Sequence, residues 1–419
     1  MTSADSGVKS DGVAHVIPAG PGGGATLVHR NALVYTVYRM LTLAPVDRAI
    51  FVLFLIHKGF SAYQIGMLQG VFFLANIVTE VPAGLFGDAI GRKWSVLLGL
   101  LAYCLFGLGV LVSDGFLPFL GLYALLGLAL ALVYGSDTAL LYDSLVAEQR
   151  TGDFNRIQLK ANALGLISGA FAVLAGGLLQ AVSWDAVYAG YVVIYALALA
   201  AWSFAIEPPL ESAVTGSTRK HLTAELLTYI RQNWRAIGLP ILGFIVFAAC
   251  TTPFFTFSQA LFSENGFSVQ RITWFYCAAQ LLIGLAYLVL QRSMSFLSFY
   301  PVVLLSTLVT AVMLGLMFFN VTAIDFGGFF LVMILNPIVG VVANNHFNAQ
   351  LPSRVRASFL SLIGLGMSLT IAIMYFLYSY LAQYMAIYQV MASTALIAVC
   401  AFLIFMLARQ VEKKGAQPC

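Results

Sequence analysis

Hydrophobic positions in this chain run in long stretches separated by short polar ones. Twelve such stretches lie at about 32–57, 64–86, 95–112, 118–142, 158–181, 186–206, 236–261, 271–291, 297–319, 326–348, 358–382 and 385–408. Each reaches the ~20 residues that a helix needs to cross a bilayer. A segment in hydrocarbon must satisfy its own backbone polar groups. The pattern therefore predicts an all-α polytopic membrane protein with twelve transmembrane helices.

The polar remainder divides the chain. Residues 1–30, rich in Gly, Pro and Ser, lack the cationic start, apolar core and small-residue cleavage site of a signal peptide and are predicted to be a disordered tail. Residues 31–206 form a first six-helix bundle, 236–408 a second, and 409–419 a closing tail. Residues 207–235 link the bundles. There Leu222, Leu226, Ile230 and Trp234 recur every fourth residue beside Lys220, Arg231 and Arg235, which suits an amphipathic helix on the lipid surface. A solvated linker fits the first half of this segment equally well. Gly59-Phe60-Ser61 recurs as Gly266-Phe267-Ser268, half a chain later, and Ile65 then matches Ile272. Six helices followed by six in the same orientation are two parallel repeats.

Composition strengthens this picture. The 419 residues are 61% hydrophobic and 9% charged, against about 25% charged in a soluble domain, so lipid is the solvent. The net charge of +4 offers no basic face for nucleic acid. All but three of the 21 Lys and Arg fall on one side of the layout. Lys58 and Arg271 fall opposite, and Arg48 lies inside a span. The positive-inside rule then places both termini in the cytoplasm. The five cysteines have no paired spacing, so neither a disulfide framework nor a metal site is expected.

Between the second and third spans stands Gly84-Leu85-Phe86-Gly87-Asp88-Ala89-Ile90-Gly91-Arg92-Lys93. Gly84 and Gly87 permit close helix contact, and Asp88 suits the amides at a facing helix N-terminus. The segment resembles the signature of the major facilitator superfamily, G-x-L-a-D-r-x-G-R-[KR], departing from it at Ala89. The resemblance implies two six-helix bundles that alternate by a rocker-switch. It also implies a cytoplasmic latch in which Asp88 meets the start of the eleventh helix, at 352–358, and Arg92 meets Asp143. Glu80, a turn before Gly84, belongs to the same region. The second half keeps only Arg292 at the equivalent place.

Ionisable groups inside a span mark function by default. Asp47 and Arg48 sit near the middle of the predicted first helix, and Asp137 in the fourth. First and fourth helices line the central cavity in the resembled family, so Asp137 is expected to face Arg48. Protonating Asp137 or Asp47 would then free the cation. The competing reading is a static buried ion pair. The fifth helix carries a stripe of Gly165, Gly169 and Gly177 beside one of Ser168, Ala172 and Gly176. Its Gly176-Gly177 matches the end of an exporter motif in the family, whose Gly-Pro is missing here. The second half supplies Thr252, Gln259, Gln280, Asn336 and Tyr375 as uncharged cavity groups. Asn344, Asn345, His346 and Asn348 suit a hydrated gate rim.

No nucleotide-binding loop, metal cluster or Ser/His/Asp set argues for an enzyme, and no cofactor is implied. The expectation is a monomeric secondary transporter in a bacterial-type plasma membrane, most simply a proton-coupled exporter of drugs or metabolites. An uptake symporter is the alternative, and a non-transporting receptor or scaffold a remote one.

Overall fold

The structure, a computed structural model, describes residues 24–208, 234–293, 298–350 and 353–415. Among these, ten helical segments are long and apolar enough to cross a membrane. The two predicted spans outside that set are the first, which is broken, and the eighth, Val269–Ser293. The amphipathic segment expected before Trp234 lies outside the described residues.

Three predicted spans are interrupted. The first runs as Gly24–Thr42, loses helical form over 43–50, and resumes as Phe51–His57. Pro45 explains the break, because proline has no N–H to donate and disfavours helical geometry in the residue before it. Asp47 and Arg48 therefore sit in an unwound segment and not, as expected, within a helix. The fourth span breaks at Tyr134-Gly135 into Phe116–Val133 and Ser136–Ala147, with Gly135 at φ +86°. The twelfth comprises Ile387–Ser393 and Ala395–Gly415. The other spans are Ala62–Ile90, Arg92–Val112, Phe154–Val182, Trp184–Ser203, Leu239–Glu264, Phe299–Leu316, Thr322–Gln350 and Ser353–Leu381.

The first helix starts at Gly24, inside the segment expected to be a disordered tail. Tertiary hydrogen bonds hold these polar turns. Val28 N–H donates to Glu148 Oε1 at 2.9 Å, and Asn31 Nδ2 donates to Ser144 Oγ and to the Ile206 carbonyl, both at 2.8 Å.

The Gly-Phe-Ser repeat builds one turn twice. Gly59 and Gly266 have φ of +84° and +80°. Phe60 N–H donates to Leu55 O at 2.9 Å, and Phe267 N–H to Phe262 O at 3.0 Å. A glycine in left-handed geometry closing a helix this way satisfies carbonyls that would otherwise be orphaned.

The two halves meet along the second and eleventh spans and along the fifth and eighth. At the end that carries Gly59 and Gly266 they are closed. Ser379 Oγ donates to Tyr63 O at 2.5 Å, Gln270 Nε2 donates to Gln180 Oε1 at 3.1 Å, and Gly66 leaves room for Ser379. At the opposite end they part. Val81, Leu85 and Ile90 are exposed, and among the described residues nothing lies within 4 Å of where a Cβ on Gly84 would stand. An apolar wedge of about 430 Å³ opens there between Ile77 and residues such as Ile241, Ile245, Phe359 and Ile363.

The two halves differ in core chemistry. Tyr188, Tyr191 and Tyr195 of the sixth span pack in a row in the first half, Tyr195 on Tyr103 and Tyr191 on Phe106, which also meets Tyr123. In the second half Phe254, Phe262, Phe275, Phe326 and Phe329 pack together across the seventh, eighth and tenth spans.

Candidate functional site

The break in the fourth span creates a helix that starts at Ser136, and Asp137 lies in its first turn. That end of a helix favours a negative charge. Asp137 is buried, with 3% exposure. Its Oδ1 accepts from the Thr138 N–H at 2.6 Å and the Thr138 hydroxyl at 3.1 Å. Its Oδ2 accepts from the Tyr38 hydroxyl at 3.3 Å and stands 3.5 Å from Arg39 Nη1. Arg39 also donates from Nε and Nη2 to Asn162 Oδ1, at 3.2 and 2.9 Å. The expected pairing of Asp137 with Arg48 is thus replaced by one with Arg39. The first, fourth and fifth spans are joined through one guanidinium. Sequence reasoning missed Arg39, Tyr38 and Asn162. Arg39 lies within the predicted first span, and its place inside that apolar run was the available signal.

Asp47 and Arg48 occupy the unwound segment. Asp47 is half-buried; Arg48 is exposed, with its guanidinium 5.7 Å from the centre of the Phe255 ring. A cation over an aromatic face is favourable. Unwinding frees backbone groups, and Gln259 of the seventh span meets two of them. Its Oε1 accepts from Val52 N–H and its Nε2 donates to Arg48 O, both at 3.1 Å. The side chain ties the first half to the second.

The fifth-span glycines seat the same segment. A Cβ on Gly165 would crowd Leu43, one on Gly169 would crowd the Leu43 carbonyl, and one on Gly176 would collide with the Val46 carbonyl. Gly177 instead faces Thr273 of the eighth span, and Gln280 Oε1 lies 3.2 Å from a Gly169 Cβ position. Tyr375 is buried, its hydroxyl 2.5 Å from Thr256 Oγ1, and its ring stacks on Phe73 at 5.6 Å. Thr252 and Asn336 are half-buried, and among the described residues no hydrogen bond ties either to this cluster.

In the loop motif, Gly91 has φ +114° and separates the second and third helices. Arg92 Nη1 lies 3.0 Å from Asp143 Oδ2, the pair that the resemblance implies. Gly87 is buried against Ser136 and Ser95. Asp88 is exposed, while Glu80 and Lys93 are half-buried. Gly84 is exposed, and among the described residues nothing lies within 4 Å of where its Cβ would stand. The side chains of 352–358, the expected partner of Asp88, lie outside the described residues. An unexpected member is Glu207, placed by sequence in the linker. Its Oε1 and Oε2 accept the Arg92 and Lys93 N–H groups at 2.8 and 2.7 Å. This carboxylate supplies acceptors to a helix start whose N–H groups have no partner within the helix. His346 of the predicted gate rim stacks on Phe299 at 3.9 Å. Among the described residues no group of three or more His, Cys, Asp and Glu could hold a metal.

Comparison with known proteins agrees with this geometry. The sequence profile described as Major Facilitator Superfamily matches residues 40–260. An uncharacterized MFS-type transporter of Bacillus subtilis (strain 168), YxaM, is 25% identical over 235 residues, which are 54% of this chain and 57% of that protein. The match thus spans little more than half the length of that relative. Among solved structures, the nucleoside transporter NupG superposes with TM-score 0.73 at 14% identity, over 92% of this chain and 99% of NupG. A bacterial homolog of the human lysosomal transporter Spinster, inward-facing and unoccupied, gives 0.71 at 14%, over 94% and 99%. A D-xylose-proton symporter gives 0.67 at 10%, over 91% and 96%. At these identities the likeness to solved structures is one of fold alone.

Proposed function

This chain belongs to the Major Facilitator Superfamily and is a multi-pass membrane transporter rather than an enzyme; from that premise we propose that it couples protons to the export of a small organic solute. The observation that carries the proposal is the buried Asp137 carboxylate held 3.5 Å from Arg39. An adjacent cation favours the ionised acid, and burial opposes it. Protonation leaves Arg39 without its counter-charge, so the packing of three spans depends on one proton.

With both termini in the cytoplasm of a bacterial-type cell, the parted end faces inward and the closed end outward. Alternating access then opens the Ser379–Tyr63 and Gln180–Gln270 contacts while the inner ends approach. In that second state the latch implied by the resemblance sets Asp88 against the start of the eleventh helix. Asp143 and Glu207 hold its loop ready in both. Arg48, Gln280, Thr252, Asn336 and Tyr375 line the path between the halves, charged on one side and aromatic on the other, which suits an amphipathic solute. Gly176 and Gly177 match the end of the exporter motif and seat the fifth span against the first and the eighth; the Gly-Pro that separates export from uptake is absent from this span.

The test is proton movement in proteoliposomes, followed with an internal pH dye, for wild type and Asp137→Asn against a panel of lipophilic cations, sugars and nucleosides. We expect one class to drive proton flux opposite to its own movement, and the variant to lose it. Flux in the same direction as the solute makes the protein an uptake symporter. Solute movement without any proton removes coupling from the reading.

A further inference from the structure

An arginine holds a carboxylate most strongly when two N–H groups of its fork meet it together. Arg39 gives its Nε and Nη2 to Asn162 Oδ1 instead, at 3.2 and 2.9 Å. Asp137 receives Nη1 alone, at 3.5 Å, well beyond the ~2.7–2.9 Å of a bond between charged groups. The stronger acceptor thus has the poorer contact, and a neutral amide the better one. The amide oxygen must be the atom that faces Arg39, because a guanidinium offers no acceptor to an amide N–H.

The fifth span fixes this arrangement. Gly165 follows Asn162 by three residues, on the same helical face. It brings the helix so near that a Cβ there would stand 3.0 Å from the Arg39 carbonyl. Ser168, one turn further, donates to the Met40 carbonyl at 2.6 Å. Backbone and side chain of Arg39 are therefore seated on one helix, and Asn162 sets where the guanidinium points. Arg156 and Lys160 of that helix are exposed, which leaves Arg39 as the cation facing Asp137 among the described residues. The other groups around the acid are Thr138 on its own helix, Tyr35 and Tyr38 on the first span, Tyr103 on the third and Tyr134 before the break. Hydroxyls and phenols stay uncharged while a carboxyl titrates. The distance from Arg39 to Asp137 then governs how readily the acid takes a proton.

We propose that Asn162 is a positioning residue for proton coupling, which holds Arg39 back from Asp137 so that the buried acid can take and release a proton. The inference rests on the reading of Asp137 as the coupling acid. With the acid ionised, the cation stands near enough to stabilise it and too far to fix it in that form. With the acid protonated, both bonds to Asn162 remain, and Arg39 keeps its place. Without Asn162, the acceptor left to the guanidinium among the described residues is Asp137 Oδ2. The fork then closes on the carboxylate, and an opposite charge at short range favours the ionised form.

The experiment titrates the purified full chain in lipid nanodiscs and reads carboxyl C=O absorption in the infrared. The Asp137 band is the one missing in Asp137→Asn. In Asn162→Leu, which keeps a similar shape and removes the acceptor, we expect the midpoint of that band to fall by about one pH unit, the low end of what an adjoining cation does to a carboxylate. Asn162→Ala should move it the same way. In an Arg39→Gln background neither substitution should shift the midpoint further, because there is no fork to release. A structural or solvation role would raise the midpoint, leave it unmoved, or shift it equally in both backgrounds; each of these overturns the proposal. Solute-driven proton flux in proteoliposomes separates this inference from the wider reading. If Asp137→Asn loses the flux while the band stays unmoved in Asn162→Leu, Asp137 remains the coupling acid and Asn162 alone is removed. If Asp137→Asn keeps the flux, or lacks no band, the coupling acid and its positioning residue fall together.

Discussion

Arg39 answers to two polar groups at once, Asp137 and Asn162, and the balance between them decides what a substitution does. Removing the cation alone leaves the Asp137 carboxylate, 3% exposed, with only hydroxyl and amide donors. Breaking a fully buried pair from one side costs about 3–5 kcal/mol. Arg39 is partly exposed, its side chain at 24%, so a smaller loss of about 2 kcal/mol is expected for Arg39→Gln. Asp137→Asn should restore much of it, since an amide needs no counter-charge. Thermal unfolding of the two single variants and the double variant measures this; additive losses would mean that the pair carries no coupling energy. Glu207 offers a second case. It accepts two N–H groups at the start of the third helix. Glu207→Ala should cost about 1 kcal/mol, as removal of a helix cap does. Glu207→Gln, which keeps one acceptor, should cost less.

Among the elements, the first and fifth spans depend on each other most. The unwound segment 43–50 exists because Pro45 interrupts the helix, and it is tolerated because Gln259 and the glycine stripe receive it. A Cβ at Gly176 would collide with the Val46 carbonyl, whereas one at Gly84 would meet nothing within 4 Å among the described residues. Gly176→Ala should therefore reduce both folded yield and transport. Gly84→Ala should leave the stability of this state unchanged and impair only the closing of the inner ends. Fluorescence size-exclusion profiles paired with uptake or efflux assays separate the two outcomes. Gly84→Ala as damaging to folded yield as Gly176→Ala would contradict the open inner end. The all-helical membrane fold and the loop motif were legible in the sequence, because hydropathy and chain order place them, and the Arg92–Asp143 pair was implied by the family resemblance. The break was not, since Leu43, Ala44, Val46, Ala49 and Ile50 keep the run apolar across Pro45. Nor was the partner of Asp137, because Arg39 and Arg48 both lie on the first span. Which one meets the fourth depends on how that span is unwound. Glu207 was read as linker because nothing local shows that the sixth span ends beside the third.

At the scale of the molecule, the contacts between the halves among the described residues concentrate at one end. Gly66 and Gly70 admit Ser379 and Phe376, and Gln180 meets Gln270 across the fifth and eighth spans. A transporter must break all of these in each cycle, whereas a receptor or scaffold has no reason to. Replacing Gln180 and Gln270 with cysteine, in a chain freed of its five native cysteines, tests this directly. A thiol crosslink there holds the closed end shut. Transport should then be largely abolished by oxidation and return on reduction, while either single cysteine stays active under both conditions. Because Gln180 and Gln270 sit in the end opposite most of the Lys and Arg, the positive-inside rule makes them external. A membrane-impermeant reductant added outside intact cells should restore activity. Recovery only after the cells are opened would invert the orientation and exchange the inward and outward states, while leaving the alternation intact. Full transport with the crosslink formed would instead remove the rocker-switch, since no solute could leave between halves that never separate at that end.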